Sequence, residues 1–234
     1  ARWTKQEVRV GAFFNMSNLP ARTSRRQMFD FTPVRANSFD TITIPSGFKW
    51  SVVASWGDPL WSDAAEFDHN TRGNGASQEM SIGDNNDGMA LFEIRGHSVL
   101  VVNNEYCNNR VIYGNRSTLH PENSDDIRKG IAAHGVSVFE IKRHQDNWAV
   151  VKDSFFNRRI TAESKMQITG PASGHDLLKT ELDPSGKFSL GTFNNCGNGR
   201  TPWGTYLACE ENFDKYFSTR DKSFRLTAEQ IRYG

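Results

Sequence analysis

The chain has 234 residues, enough for one large core or two small ones. Its 28 basic and 27 acidic side chains leave a net charge of +1, which excludes the positive field of a nucleic-acid binder and the polybasic patch of a membrane-surface protein. No apolar run approaches membrane-spanning length, and 16 Phe, 6 Trp and 19 Gly favour a β-rich, turn-rich domain over a helical bundle.

Residues 1–40 mix charge with isolated aromatics and have no clean period. They are expected to form an N-terminal arm packing on a main domain of residues 41–234. From Thr41 short apolar runs recur at Thr41–Ile44, Trp50–Ala54, Met89–Ile94, Val99–Val102, Val136–Ile141, Trp148–Lys152, Phe188–Phe193 and Thr205–Ala208. Each is bounded by Gly, Asn, Asp or Pro, as short strands are. The polar, glycine-bearing stretch Asp58–Ser81 reads as a long functional loop, and His120–Lys129 as a charged, exposed excursion. Val136–Ile141 and Trp148–Lys152 form a predicted hairpin through Lys142–Asn147. A second hairpin is predicted from Lys187–Phe193 and Thr205–Glu210, with Gly197-Asn198-Gly199 and Pro202-Trp203-Gly204 as turn chemistry. Near the end, Thr227-Ala228-Glu229-Gln230 has the spacing of a capping box and predicts a helix start. Such a set of antiparallel strands suits a sandwich, a barrel or a propeller, and no repeat of fixed period chooses among them.

The second hairpin ends in Glu210-Glu211. Adjacent carboxylates repel unless a cation lies beside them, so a bound metal is expected there. In a regular strand the two point to opposite faces, and a strand end or bulge is needed to turn both inward. Extended backbone from Val99 to Cys107 places Glu105 and Cys107 on one face about 7 Å apart, at roughly 3.3 Å per residue. That separation suits two neighbouring ions. A thiolate beside a carboxylate selects iron or zinc, whereas all-oxygen sites favour calcium or magnesium. The cluster Asp84-Asn85-Asn86-Asp87-Gly88 reads as an Asx-rich turn with oxygen donors at Asn86 and Asp87. It is no EF-hand, because Arg95 stands where a bidentate Glu belongs. Asn104, Asn194 and Asn195 offer amide oxygens to calcium or hydrogen bonds to phosphate, and Arg200 a bidentate phosphate contact. His175 is expected as a buried histidine with a hydrogen-bond partner. Cys196 and Cys209 stand on opposite arms of the hairpin, so they are expected within bridging reach, with Cα atoms about 4.4–6.8 Å apart. Cys107 is then left alone.

Three ordered stretches carry a resemblance. They are Ile44-Pro45-Ser46-Gly47-Phe48 followed by Trp56-Gly57-Asp58-Pro59-Leu60; Gly83 to Gly88 followed by Val101-Val102-Asn103-Asn104-Glu105-Tyr106-Cys107; and Thr169-Gly170-Pro171 to Glu211-Asn212, with Gly174-His175-Asp176 inside it. From about Thr41 to Phe217 the chain resembles the secreted PhoX-type alkaline phosphatases. The resemblance implies an all-β fold, a six-bladed β-propeller with long loop insertions and little helix. Family members run well beyond this length, so the chain is expected to hold the first blades only, and to be inactive and prone to associate alone.

The resemblance further implies hydrolysis of small-molecule phosphate monoesters at a centre of Fe3+ and Ca2+. Glu105, Cys107 and Glu210 are then the expected catalytic ligands, with Cys107 on iron. Glu211, Asn86 and Asp87 complete the metal set, and Asn104, Asn195 and Arg200 bind phosphate. The complete protein is expected to be a monomer exported to the periplasm or medium, its leader already cleaved. Two rivals are a calcium-dependent lactonase-type propeller hydrolase and a non-enzymatic, calcium-stabilised binding module. Cys107 argues against the first, because a calcium-only site has no use for a thiolate, and metal analysis separates all three.

Overall fold

The computed structural model describes residues 7–8 and 31–233. Most of the expected N-terminal arm therefore falls outside the described residues. Within it, β1 (Glu7–Val8) pairs antiparallel with β2 (Ala54–Ser55).

The sheet that organises the chain is built on one strand buried on both faces. β3 (Asn86–Ile94) turns through Arg95 (φ 51) and Gly96 (φ 87) into β4 (His97–Asn104), which runs antiparallel to β5 (Gly135–His144). Leu100 and Val102 of β4 pack with Ala54, Leu60, Ile82, Phe139 and Ile141 on one side. Val99 and Val101 pack with Phe92 and Val136 on the other. This is why β4 reads as a continuous apolar run rather than an alternating one. The far edge of β5 is shared. β6 (Asn147–Val150) pairs with residues 141–144 and β7 (Arg158–Ile160) with residues 136–138. The predicted hairpin is thus present, with its turn tightened to Gln145 (φ 53) and Asp146.

The expected excursion at His120–Lys129 is instead mostly helix. The short helices α1 (Gly75–Glu79) and α2 (Asn109–Ile112) precede α3 (Ser124–Ala133). Asn123 caps α3 by accepting the N–H of Asp126 at 2.9 Å. Its buried face is carried by Asp126, Lys129, Gly130 and Ala133, at helical spacing. The charges hide this face from a hydrophobicity pattern. Asp126 is satisfied by a two-pronged contact with Arg116, and Lys129 by the carbonyl of Ile112 at 2.9 Å.

The second hairpin is also present, with its first arm displaced. Phe188–Leu190 (β9) pairs with β8 (Lys165–Gln167), while β10 (Asn195–Arg200) pairs with β11 (Tyr206–Glu210). Positive φ at Gly191 (92°) and Asn194 (53°) divides the expected single strand into two. The turn closes at Gly204 (φ 87), whose N–H donates to Thr201 O at 3.0 Å. Thr41–Ile44 forms no strand. The capping box at Thr227 opens α4 (Ala228–Tyr233), with Gln230 N–H bonded to Thr227 Oγ1 and Thr227 N–H to Gln230 Oε1. Among the described residues every sheet is antiparallel and none closes on itself.

β10 lies against β3 at one glycine. A Cβ on Gly88 would stand 2.6 Å from the Cys196 carbonyl oxygen and 2.7 Å from Asn198 Oδ1. Only a missing side chain allows that approach, and it brings the start of β10 to the start of β3.

Candidate metal centre

Four strand ends meet at this edge: the starts of β3 and β10 and the ends of β4 and β11. β3 breaks register between Asn86 and Met89, and β10 between Asn195 and Asn198. Such irregularities re-aim side chains that a regular pleat would send to alternate faces. The backbone then knits the ends together. Glu105 N–H donates to Asn85 O at 2.9 Å, Asn194 N–H to Glu105 O at 2.9 Å, and Glu211 N–H to Asn194 O at 3.0 Å.

Asp87, Glu105 and Cys196 each turn one ligand atom into this junction, all within 4.8 Å of one another. Asn194 Nδ2 steadies Glu105 by donating to Oε1 at 3.1 Å. Burial, then repulsion from Asp87 and Glu211, raises the Glu105 carboxyl above its ordinary value. The Cys196 thiol is pushed up to about 12 by its hydrogen bond to Asp87, burial and the surrounding carboxylates. The buried Oδ1 of Asn195, next to Cys196, accepts no hydrogen bond. Two carboxylates, a thiol and an orphaned amide oxygen form a donor set that fits a cation, with the sulfur favouring a transition metal.

A cavity of about 520 Å³ opens beside the junction. Glu105 and Asn194 line one wall, and Cys107, His134, Lys215 and Tyr216 line others. Cys107 does not continue the β4 strand, which ends at Asn104. Its Sγ lies 3.1 Å from Gly130 O and 3.5 Å from His134 Nδ1. Burial holds this thiol well above its ordinary value. The His134 imidazole bonds Gly130 O through Nδ1 at 2.7 Å and Tyr216 Oη through Nε2 at 3.0 Å. Burial lowers its pKa from the ordinary histidine value.

The remaining expected residues divide. Glu211 acts on the junction through its charge, whereas Glu210 turns away, accepting from Thr192 Oγ1 at 2.8 Å and Phe193 N–H at 3.3 Å. Asn86 and Asn104 support the site. Asn104 Nδ2 donates to Asn86 Oδ1 at 2.8 Å, and Asn104 Oδ1 accepts from Ser137 Oγ and Arg159 Nη1, both at 2.6 Å. Arg200 lies outside the cavity, its guanidinium 3.2 Å from Leu91 O and stacked on Phe92 at 4.7 Å. His175 is exposed rather than buried and accepts the N–H of Leu177 at 3.2 Å. Cys196 and Cys209 do lie on paired strands, but both are free, Cys196 at the junction and Cys209 exposed.

Sequence reasoning missed Cys196 as a donor, together with His134, Tyr216 and Lys215. Cys196 carried one legible signal, since it directly follows Asn194-Asn195. The other three are brought in by α3 and by a one-turn 3-10 helix at Phe213–Tyr216, which the strand pattern did not mark.

No curated protein matches the chain. Among solved structures it is similar to Pseudomonas fluorescens PhoX in complex with vanadate, a transition state analogue. That match has 46% identity and a TM-score of 0.83, and it covers 87% of this chain and 35% of that chain. The chain thus spans about a third of that protein's length. The family model for alkaline phosphatase PhoX matches residues 29–234, and the chain belongs to the PhoX alkaline phosphatase family.

Proposed function

We propose that this chain forms the carboxylate-and-thiol side of a phosphomonoesterase centre holding iron and calcium. The observation that carries the reading is the convergence of Asp87, Glu105 and Cys196 within 4.8 Å, in a chain 46% identical to a phosphatase that holds a phosphoryl transition-state analogue. Iron and calcium ions, when bound, neutralise the charge of the ester and polarise its phosphoryl group. Asp87, Glu105 and Cys196 would hold them, with Glu211 adding charge and Asn195 an amide oxygen. Cys107 on the neighbouring wall is the alternative thiol for iron. Asn104 and Asn86 keep the strand ends in place, while Tyr106 and Tyr216 shape the cavity beside them.

In this reading the antiparallel sheets are the first blades of a six-bladed propeller. The substrates are small phosphate monoesters, and the complete protein is an exported monomer. No helix among the described residues is long and apolar enough to cross a membrane.

The test is elemental analysis of the purified full-length protein alongside a phosphomonoester assay, repeated on Cys196→Ser and Cys107→Ser. Iron and calcium with monoester turnover support the reading. The variant that loses iron, and with it any sulfur-to-iron absorption band, identifies the ligating thiol. Calcium alone with lactonase or esterase turnover, or calcium with no turnover, would replace the proposal by one of its rivals.

A further inference from the structure

The side chains that line the cavity beside the metal junction carry little positive charge, and the ligand proposed for it is an anion. A phosphate monoester carries close to two negative charges at neutral and alkaline pH. It would enter past Glu105, in a site that Asp87 and Glu211 already make anionic. The arginine expected to meet it, Arg200, is committed to Leu91 and Phe92 elsewhere. His134 lines the cavity, but both of its ring nitrogens are already bonded, to Gly130 O and to Tyr216 Oη. The remaining basic side chain on the cavity wall is Lys215.

Lys215 is placed there by more than chain drift. It sits in the 3-10 helix Phe213–Tyr216, which follows Asn212 in a left-handed conformation (φ 47). The next residue fastens that helix across the cavity. Tyr216 Oη meets His134 Nε2 at 3.0 Å, and its ring packs on Phe193 at 4.6 Å and on His134 at 5.3 Å. Tyr216 thereby ties the helix to α3 and to the loop before β10, and Lys215 is carried on the tied segment. Lys215 is exposed and forms no ion pair with a described residue. An unpaired ammonium on the wall of this cavity can donate hydrogen bonds to the oxygens of a phosphoryl group.

We propose that Lys215 is a phosphate-binding residue of this cavity, contacting the non-bridging oxygens of the monoester. The proposal rests on the phosphomonoesterase reading, and it assigns within that site a residue supplied by this chain. Lysine acts as a point charge on phosphate, so the contact is made in the bound ester and in the transition state alike. Its loss should raise KM more than it lowers kcat.

The experiment has two arms on the same protein. In the first, pyridoxal 5′-phosphate, which combines a phosphate with an amine-reactive aldehyde, is added and the resulting imine is reduced with borohydride. Labelled peptides are then mapped with and without inorganic phosphate. Lys215 should be labelled ahead of exposed lysines such as Lys49, and inorganic phosphate should protect it. In the second, inorganic phosphate binding is measured for wild type, Lys215→Met and Lys215→Arg, with thermal melts and metal content as controls. Lys215→Met should bind phosphate about tenfold more weakly at unchanged melting temperature and metal content, and Lys215→Arg should recover most of the loss. Equal phosphate affinity in wild type and Lys215→Met, or labelling of Lys215 that phosphate does not slow, overturns the assignment and leaves the phosphomonoesterase reading standing. Wild-type protein that binds no phosphate and hydrolyses no monoester overturns both.

Discussion

The carboxylate of Asp84 accepts the backbone N–H of Asn108 at 2.6 Å and that of Asn85 at 2.8 Å. One fully buried side chain thus joins the turn leading to Asp87 with the turn that follows Glu105 and Cys107. The backbone N–H of Asp84 in turn bonds Ala133 O at 3.0 Å, so the end of α3 is fixed to the same point. Asp84→Ala leaves two buried N–H groups without an acceptor and should destabilise the fold by roughly 2–4 kcal/mol. Asp84→Asn keeps the shape and one acceptor, and should cost less. Urea unfolding of the three proteins checks the order. An alanine variant as stable as wild type would show that the clamp is idle.

Close approach at Gly88 gives a second prediction. With the Cys196 carbonyl 2.6 Å from a would-be Cβ, Gly88→Ala must push β10 outward. Overpacking of this kind costs about 1–3 kcal/mol. It should also separate Cys196 from Asp87 and Glu105, so cation affinity should fall further than stability does. Titration with a luminescent lanthanide, set beside a thermal melt, separates the two effects.

The ion pair between Arg116 and Asp126 makes stability depend on pH. Hydrogen bonding to Arg116 lowers the Asp126 carboxyl from its ordinary 3.8. A carboxylate lowered in the folded state stabilises fully above the unfolded value, and that contribution disappears as pH falls through the folded one. Asp126→Asn should therefore be less stable than wild type by roughly 1–3 kcal/mol at pH 7. The gap should narrow steadily below pH 4. Unfolding curves between pH 7 and pH 2.5 measure it, and a gap independent of pH would remove the charge from the explanation.

The three cysteines should differ in reactivity. Cys209 is exposed and free, Cys196 is held up near 12, and Cys107 is raised by burial. The thiolate is the reactive form, so an aromatic disulfide reagent at pH 8 should modify Cys209 first. All three should react only after denaturation. Peptide mapping identifies the fast site, and an intact mass lighter by two hydrogens under non-reducing conditions would reveal a Cys196–Cys209 bridge that the structure lacks.

What the sequence disclosed depended on which residues make each element. Strand β4 was legible because Val99, Leu100, Val101 and Val102 are all apolar and sheet burial tolerates nothing else there. The α4 start was legible because Thr227 and Gln230 bond each other directly, a local device with a local signature. Helix α3 was not. Its buried face uses Gly130, Ala133 and two paired charges, so the apolar period that marks a helix is missing. The site was legible as a neighbourhood and illegible in detail. Glu105, Asp87 and the asparagines were marked by composition and resemblance. The choice of Cys196 over Cys209 as the inward thiol, and of Glu211 over Glu210 as the charge at the junction, depends on the irregular register of β10 against β11. A strict two-residue alternation cannot register that shift.

The distance along the chain between the two halves of the junction sets an order of assembly. Asn103 meets the carbonyl of Cys196 across 93 residues, and Asn194 meets Glu105 across 89. Between them lies the whole of α3, β5, β6 and β7, whose strands pair with neighbours much nearer in sequence. Closing so long a loop is entropically unfavourable until the sheet beneath is in place. During synthesis Asp87 and Glu105 emerge long before Cys196, and in that interval they offer only oxygen donors. The third donor joins them only when β10 docks on Gly88. The fold thereby sets an order in which the donors come together that the finished junction alone does not reveal.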